Sequence, residues 1–203
     1  MIKNIVFDMG GVLINFDAAR YTARFVQDPA DYELIQRELF RSVEWIQMDR
    51  GSITDEEAVK AVCSRLPERL HQAVRDILDN WHRDIPPLDG IYELVEELKG
   101  KGYGIYLLSN TCSRFHSFRE NIPTLRFFDG EFISADCHLV KPEPGIYQQF
   151  LETFSLDGAE CVFIDDVPLN VEGAVRCGIN GIVYHGRPGL LRRQLRQMGV
   201  DVA

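Results

Sequence analysis

The segment Ile5-Val6-Phe7-Asp8-Met9-Gly10-Gly11-Val12 sets three apolar residues directly before a carboxylate and a pair of glycines. A short β-branched and aromatic run of this kind reads as a buried strand. The glycines that follow allow a sharp turn and close approach of the backbone to a ligand. Taken alone, Asp8 is an ordinary turn residue. Its meaning comes from what repeats downstream, where apolar runs recur at 105–108, 132–133, 162–164 and 182–184. Helical patterns lie between most of them. Ile146, Phe150 and Phe154 repeat at four-residue spacing after Pro144, and Val171, Ala174 and Val175 form a stripe between Pro168 and Gly178. Strands alternating with helices predict an α/β fold with a doubly wound parallel sheet.

The stretch from Phe16 to about Asp84 breaks the alternation, with amphipathic segments and no convincing strand. It is read as an all-helical insertion. Thr54-Asp55-Glu56-Glu57 fits a capping box, and the preceding Asp49-Arg50-Gly51-Ser52 is read as a turn between helices. Pro86-Pro87-Leu88-Asp89-Gly90 marks the return to the sheet, where Ile91, Leu94, Val95 and Leu98 form the next helical face.

With 203 residues, 45% of them hydrophobic, the chain can bury a sizeable core. Its formal charge of -9 and lack of any dense basic run remove the electrostatic footprint of a nucleic-acid binder. Five scattered cysteines without a CxxC pair argue against a disulfide framework and a zinc site, and the five histidines lack metal-ligand spacing. His116 is the histidine to watch, on the helix that Ser109-Asn110 are expected to open. The N-terminal apolar run is too brief for a signal segment or a membrane span, so the expectation is a cytoplasmic protein with no membrane, nucleic-acid or obligate protein partner.

Three further sites stand at strand ends or just beyond them, the edge at which open parallel sheets bind ligands. Ser109 and Asn110 end the second strand and are read as opening a helix, which would offer a hydroxyl, an amide and helix-start N–H groups to an anion. Lys141 lies in His138-Leu139-Val140-Lys141-Pro142-Glu143-Pro144, where prolines could fix one ammonium group in place. Asp165 and Asp166 close the fourth strand; adjacent carboxylates repel unless a cation or solvent relieves them, and hard oxygen ligands suit magnesium.

This order of sites, with a helical insertion after the first, resembles the haloacid dehalogenase superfamily over nearly the whole chain. More narrowly, Ser109-Asn110-Thr111, Arg50-Gly51 with Ile53-Thr54-Asp55-Glu56, Lys141-Pro142-Glu143 with Ile146-Tyr147-Gln148, and Asn170-Val171-Glu172-Gly173-Ala174 are similar to the bacterial α-D-glucose-1-phosphate phosphatases. The resemblance implies a Rossmann-like core of residues 1–15 and 86–203 and a helical cap of residues 16–85. It implies a magnesium-dependent phosphatase acting on a small phosphorylated metabolite, a sugar phosphate such as glucose 1-phosphate. Asp8 would be the nucleophile and form a phosphoaspartyl intermediate. Magnesium would be held by Asp8, the Gly10 carbonyl and Asp166, with Asp165 orienting or binding through water. Ser109, the backbone beside Asn110, and Lys141 would hold the phosphoryl oxygens, Lys141 also offsetting charge as the bond breaks.

The pattern departs from the superfamily at Gly10, where most of its phosphatases place a second Asp as general acid and base. General acid–base help is worth about two to four orders of magnitude. The acidic anomeric hydroxyl of a sugar 1-phosphate would lessen the need for it; alternatively Asp17, where the insertion begins, could deliver a proton through water. Two rival functions remain open at this point. One is hydrolytic dehalogenation of a 2-haloacid, which needs no metal and no second Asp; the other is a non-catalytic module that binds a phosphorylated ligand.

Overall fold

The computed structural model describes residues 1–83 and 85–203; Asp84, at the expected end of the insertion, lies outside the described residues. The strands are β1 (Asn4–Phe7), β2 (Gly104–Ser109), β3 (Gly130–Ile133), β4 (Cys161–Asp165) and β5 (Asn180–Val183). They pair in parallel in the order β3-β2-β1-β4-β5, with Ile5 in register with Ile105 on one side and Val162 on the other. Each matches one of the apolar runs read from the sequence. The chain builds outward from β1 through β2 to β3, then crosses back to β4, so the winding reverses between β1 and β4. Such a reversal opens a crevice beyond the carboxyl ends of the two strands, and Asp8 and Asp165 stand there.

Period-two alternation divides each strand between two cores. Ile5 and Phe7 join Ile105, Leu107, Val162 and Ile164 beneath α6 (Ile91–Gly100) and α11 (Pro188–Gln197). Val6 joins Leu108 and Phe163 on the other face, against Ile146, Tyr147 and Phe150 of α9 (Pro144–Phe154) and Ala174 of α10 (Pro168–Arg176). Coverage of both faces explains why the strands read as unbroken apolar runs.

Between β1 and α6 come α1 (Ala18–Phe25), α2 (Pro29–Ile35), α3 (Val43–Asp49), α4 (Asp55–Cys63) and α5 (His71–Asn80). The chain leaves and re-enters the sheet domain along two paired passes: Asn15 N–H donates to the Pro86 carbonyl at 2.8 Å and Leu88 N–H to that of Leu13 at 3.0 Å. This pairing fixes the base of the insertion beside β1. The capping box is present, with Thr54 Oγ1 accepting from Glu57 N–H and the Glu57 carboxylate accepting from Thr54 N–H. Asp17 caps α1 by accepting from Arg20 N–H.

One local expectation fails. Ser109 and Asn110 do not open a helix; the next helical residues are α7 (Phe115–Phe118). The polar groups of this segment go to neighbouring loops instead: Thr111 N–H donates to Ser134 Oγ, at the start of α8 (Ser134–Cys137), and the Asn110 amide bonds the Lys141 backbone. All five cysteines are free, and no helix among the described residues is long and apolar enough to cross a membrane.

The turn after β1 explains its two glycines differently. Gly11 has φ of 71°, and a Cβ there would collide with the Asp166 carboxylate. At Gly10 the nearest atom to such a Cβ is Phe16 Cβ at 3.5 Å, ordinary contact, and the backbone needs no positive φ. Gly11→Ala is expected to destabilise the fold by about 1–3 kcal/mol, the range for a strained backbone position, while Gly10→Ala changes the urea midpoint little; equal losses would contradict this reading of the turn.

Candidate active site

Lys141 is the hub of the site. Its ammonium group donates to Asp8 Oδ1 at 2.8 Å, to Asp165 Oδ2 at 2.7 Å and to the Leu108 carbonyl at 2.9 Å, and it lies over the Phe163 ring. All three charged residues are buried, so these contacts replace water as the source of their solvation. Burial alone would push the Lys141 ammonium group down, but Asp8 and Asp165 outweigh it and hold its pKa above the usual lysine range. The backbone carrying Lys141 is fixed in turn by Asn110, whose side-chain oxygen accepts from Lys141 N–H at 2.8 Å and whose amide donates to the Lys141 carbonyl at 3.0 Å. The Asn110 side chain is therefore committed to positioning the lysine.

Asp165 is equally engaged. Besides Lys141, its carboxylate accepts from Val167 N–H at 2.8 Å and from the Asn170 amide. The Asn170 carbonyl accepts from Tyr147 Oη at 2.7 Å, which ties α10 to α9 behind the site. Asn170 and Tyr147 were read from the sequence only as parts of motifs or helical faces. Their role depends on two helices meeting, which periodicity does not report.

The cluster still carries more negative than positive charge. Asp8, Asp165 and Asp166 each place a carboxylate oxygen within 4.8 Å of the others, against the one ammonium group of Lys141. Burial, then Asp165, raises the Asp8 carboxyl to about 7 against the opposing pull of Lys141. Asp166 is exposed yet also raised, by burial of its carboxylate and by Asp165. Among the described residues no hydrogen bond engages the Gly10 carbonyl, and the Asp166 carboxylate is met by its own backbone N–H. An all-oxygen donor set with surplus negative charge fits a hard divalent cation. Ser109 Oγ, buried and without a hydrogen-bond partner, is an orphan that a ligand oxygen would satisfy.

A cavity of about 100 Å³ opens above Asp8. Met9, Gly10, Asn110 and Thr111 form its floor, and Phe16, Trp45 and Trp81 its apolar wall. The three rings pack as one cluster with centroids 5.7–6.2 Å apart. Asp49, the last residue of α3, also lines it. Asp17 does not: its carboxylate serves as the α1 cap, outside this lining. His116 likewise lies elsewhere, paired with Asp136 at 3.0 Å on the surface.

The insertion is clasped to the sheet domain by the segment read from sequence as a mere turn. Arg50 forms a two-pronged salt bridge with Glu143 and also donates to the His138 carbonyl. The Arg50 carbonyl bonds His138 Nδ1, Ser134 Oγ donates to the Asp49 carbonyl at 2.5 Å, and Gly51 packs its α-carbon against Ala135. Glu143 in turn accepts from Val140 N–H, one residue before the hub lysine.

A buried carboxylate at the switch point of a doubly wound sheet, held by a lysine and roofed by helices, places the candidate site at the sheet's carboxyl edge. The chain belongs to the haloacid dehalogenase-like hydrolase family, whose profile matches residues 2–178. It is similar to a sesquiterpene phosphatase of Aspergillus oryzae, 28% identical over 89% of this chain and 88% of that protein. A D-ribitol-5-phosphate phosphatase of Bacteroides thetaiotaomicron is 28% identical over 84% of this chain and 86% of its own length. Among solved structures, a haloacid dehalogenase family enzyme from Bacteroides thetaiotaomicron, in complex with magnesium and inorganic phosphate, superposes with a TM-score of 0.67 at 25% identity, covering 92% of this chain and 96% of that one.

Removing the hub should cost more than any surface substitution. Lys141→Met leaves Asp8 and Asp165 buried without a counter-charge, and a loss of about 3–5 kcal/mol is expected in chemical denaturation. Adding Asp165→Asn should recover part of it; a Lys141→Met protein as stable as wild type would contradict the pairing.

Proposed function

We propose that this chain is a magnesium-dependent phosphatase that hydrolyses a small phosphorylated metabolite, probed first with sugar phosphates such as glucose 1-phosphate, through a phosphoaspartyl intermediate on Asp8. The observation that carries the reading is the convergence of Asp8, Asp165 and Asp166 on one point beside Lys141. A dehalogenase binding a carboxylate substrate has no use for this surplus of negative charge, whereas a phosphatase has. The phosphatase names of the two relatives and the magnesium and phosphate bound by the structural neighbour agree with it.

Asp8, Asp166 and the Gly10 carbonyl would hold the magnesium ion, with Asp165 behind them, and the ion would supply positive charge to the phosphoryl oxygens and to Asp8. Lys141 would contribute a second positive charge, fixed in direction by Asn110 before any substrate arrives. Ser109 Oγ would donate to one phosphoryl oxygen. Asp8 would attack phosphorus in line with the leaving oxygen, and water would then release phosphate from the acyl phosphate. Residues 16–85 would act as a cap, their aromatic wall excluding bulk water from the reacting atoms.

Two outcomes test this. Asp8→Asn should abolish phosphate release while leaving the fold intact by circular dichroism; activity within tenfold of wild type would sink the mechanism. Magnesium without substrate should raise the melting temperature of the wild-type protein, by about 2.7 kcal/mol of stability at a hundredfold excess over its Kd, and Asp166→Asn should remove most of that gain. A gain unchanged in Asp166→Asn would place the metal elsewhere.

A further inference from the structure

Gly10 leaves this chain without the carboxylate that would protonate a leaving oxygen from the nucleophile's own loop, and Asp17 is spent on capping α1. The cavity above Asp8 nevertheless contains a second carboxylate. Asp49 reaches it from the roof, at the carboxyl end of α3. Resting on the phosphatase reading above, we infer that Asp49 is the general acid and base of the reaction, delivered by the helical insertion in place of the residue missing at position 10.

Three observations carry this. The first is position: Asp49 lines both the inner cavity with Asp8 and a narrow adjoining chamber of about 10 Å³ bounded by Asp55, Cys112 and Arg114. That chamber shares Met48, Asp55, Cys112 and Arg114 with the wide outer groove of about 830 Å³. Asp49 therefore stands where the inner cavity, which it shares with Asp8, narrows toward the outer groove.

The second is availability. Among the described residues no hydrogen bond or salt bridge engages the Asp49 carboxylate, although it is half-buried and faces Trp45 and Trp81. The charged groups facing it are Asp8 and Lys141 on the side of the inner cavity and Asp55 and Arg114 across the narrow chamber. Burial, reinforced by Asp8 and only partly offset by Lys141, raises its carboxyl to about 7, so both protonation states are accessible near neutrality.

The third is how firmly its backbone is held. Its carbonyl is anchored by Ser134 Oγ, the next residue is locked to Glu143 and to both backbone and ring of His138, and Gly51 has φ of 68° with its α-carbon against Ala135, where a Cβ would come within 2.5 Å of the Ala135 carbonyl oxygen. Asp49-Arg50-Gly51 is thus a clasp between the insertion and the sheet domain that holds one side chain at the site.

In the first half-reaction an Asp8 oxygen bonds to phosphorus while the ester P–O bond breaks. Its electron pair stays on the leaving oxygen, which takes the Asp49 proton and departs as the alcohol. In the second, water bonds to phosphorus and gives a proton to the Asp49 carboxylate. The P–O bond to Asp8 breaks, its electrons returning to the Asp8 carboxylate, and phosphate leaves with Asp49 protonated again.

The test compares an alkyl phosphate, whose leaving oxygen needs a proton, with 4-nitrophenyl phosphate, whose leaving group does not. Asp49→Asn should lower kcat/KM for the alkyl ester by about 10²–10⁴ and change that for the nitrophenyl ester by less than about tenfold, with Asp49→Glu restoring part of the difference. Wild type itself should show a shallow dependence of kcat/KM on leaving-group acidity, a measurement that needs no variant to fold. An equal loss on both esters, no loss on either, or a steep wild-type dependence would overturn the role of Asp49 while leaving Asp8 as nucleophile. Absence of phosphate release from every ester by wild type in magnesium would instead overturn the phosphatase reading.

Discussion

A single ammonium group, taken out of water and set between two carboxylates, is the constraint around which this molecule is arranged. Asp8 and Asp165 offset the cost of burying the Lys141 ammonium group, and it offsets the cost of burying them. The three come from the ends of β1 and β4 and from the loop before α9. Their meeting therefore depends on the order of the sheet and on the reversal of winding between β1 and β4. Asn110, Asn170 and Val167 N–H complete the arrangement by occupying the remaining bonding positions of the loop and of Asp165. Asp8 and Asp166 turn toward one another beyond this arrangement, and the proposed chemistry falls on that side.

The second constraint is the seam between the insertion and the sheet domain. A helical roof could sit over this crevice in many ways, but Arg50, Gly51 and the Asp49 carbonyl bind to Glu143, Ala135, His138 and Ser134 at once. Because Glu143 also bonds Val140 N–H beside Lys141, the clasp and the hub share one loop. The placement of the roof is thereby tied to that of the lysine, and the same roof lays an aromatic wall of Phe16, Trp45 and Trp81 beside Asp8.

Much of this was legible in the sequence, for physical reasons that differ by residue. The five apolar runs announced the strands because a sheet covered on both faces requires unbroken hydrophobicity. The meeting of Asp8, Asp165 and Asp166 was legible because strand ends are where a doubly wound sheet places its ligands, and Lys141 because prolines frame its loop. The helix expected at Ser109-Asn110 failed because N-cap residue types also serve loops, and here Asn110 bonds the Lys141 backbone, 31 positions away. Asp49 was hidden for a related reason. Its neighbours Arg50 and Gly51 read as a turn, and nothing local to α3 distinguishes a carboxylate that faces a cavity from one that faces solvent. Only the clasp to α8 and the loop before α9 settles its direction, and these contacts span more than 80 positions.

Every proposed role in the site depends on Asp8 being the nucleophile. Rapid acid quench of the wild-type protein turning over a phosphate ester in magnesium, followed by mass analysis of its peptides, should find a hydroxylamine-sensitive phosphoryl group on the peptide carrying Asp8, and none in Asp8→Asn. A phosphoryl group on any other residue, or steady turnover with no adduct under quench conditions that preserve acyl phosphates, would contradict it.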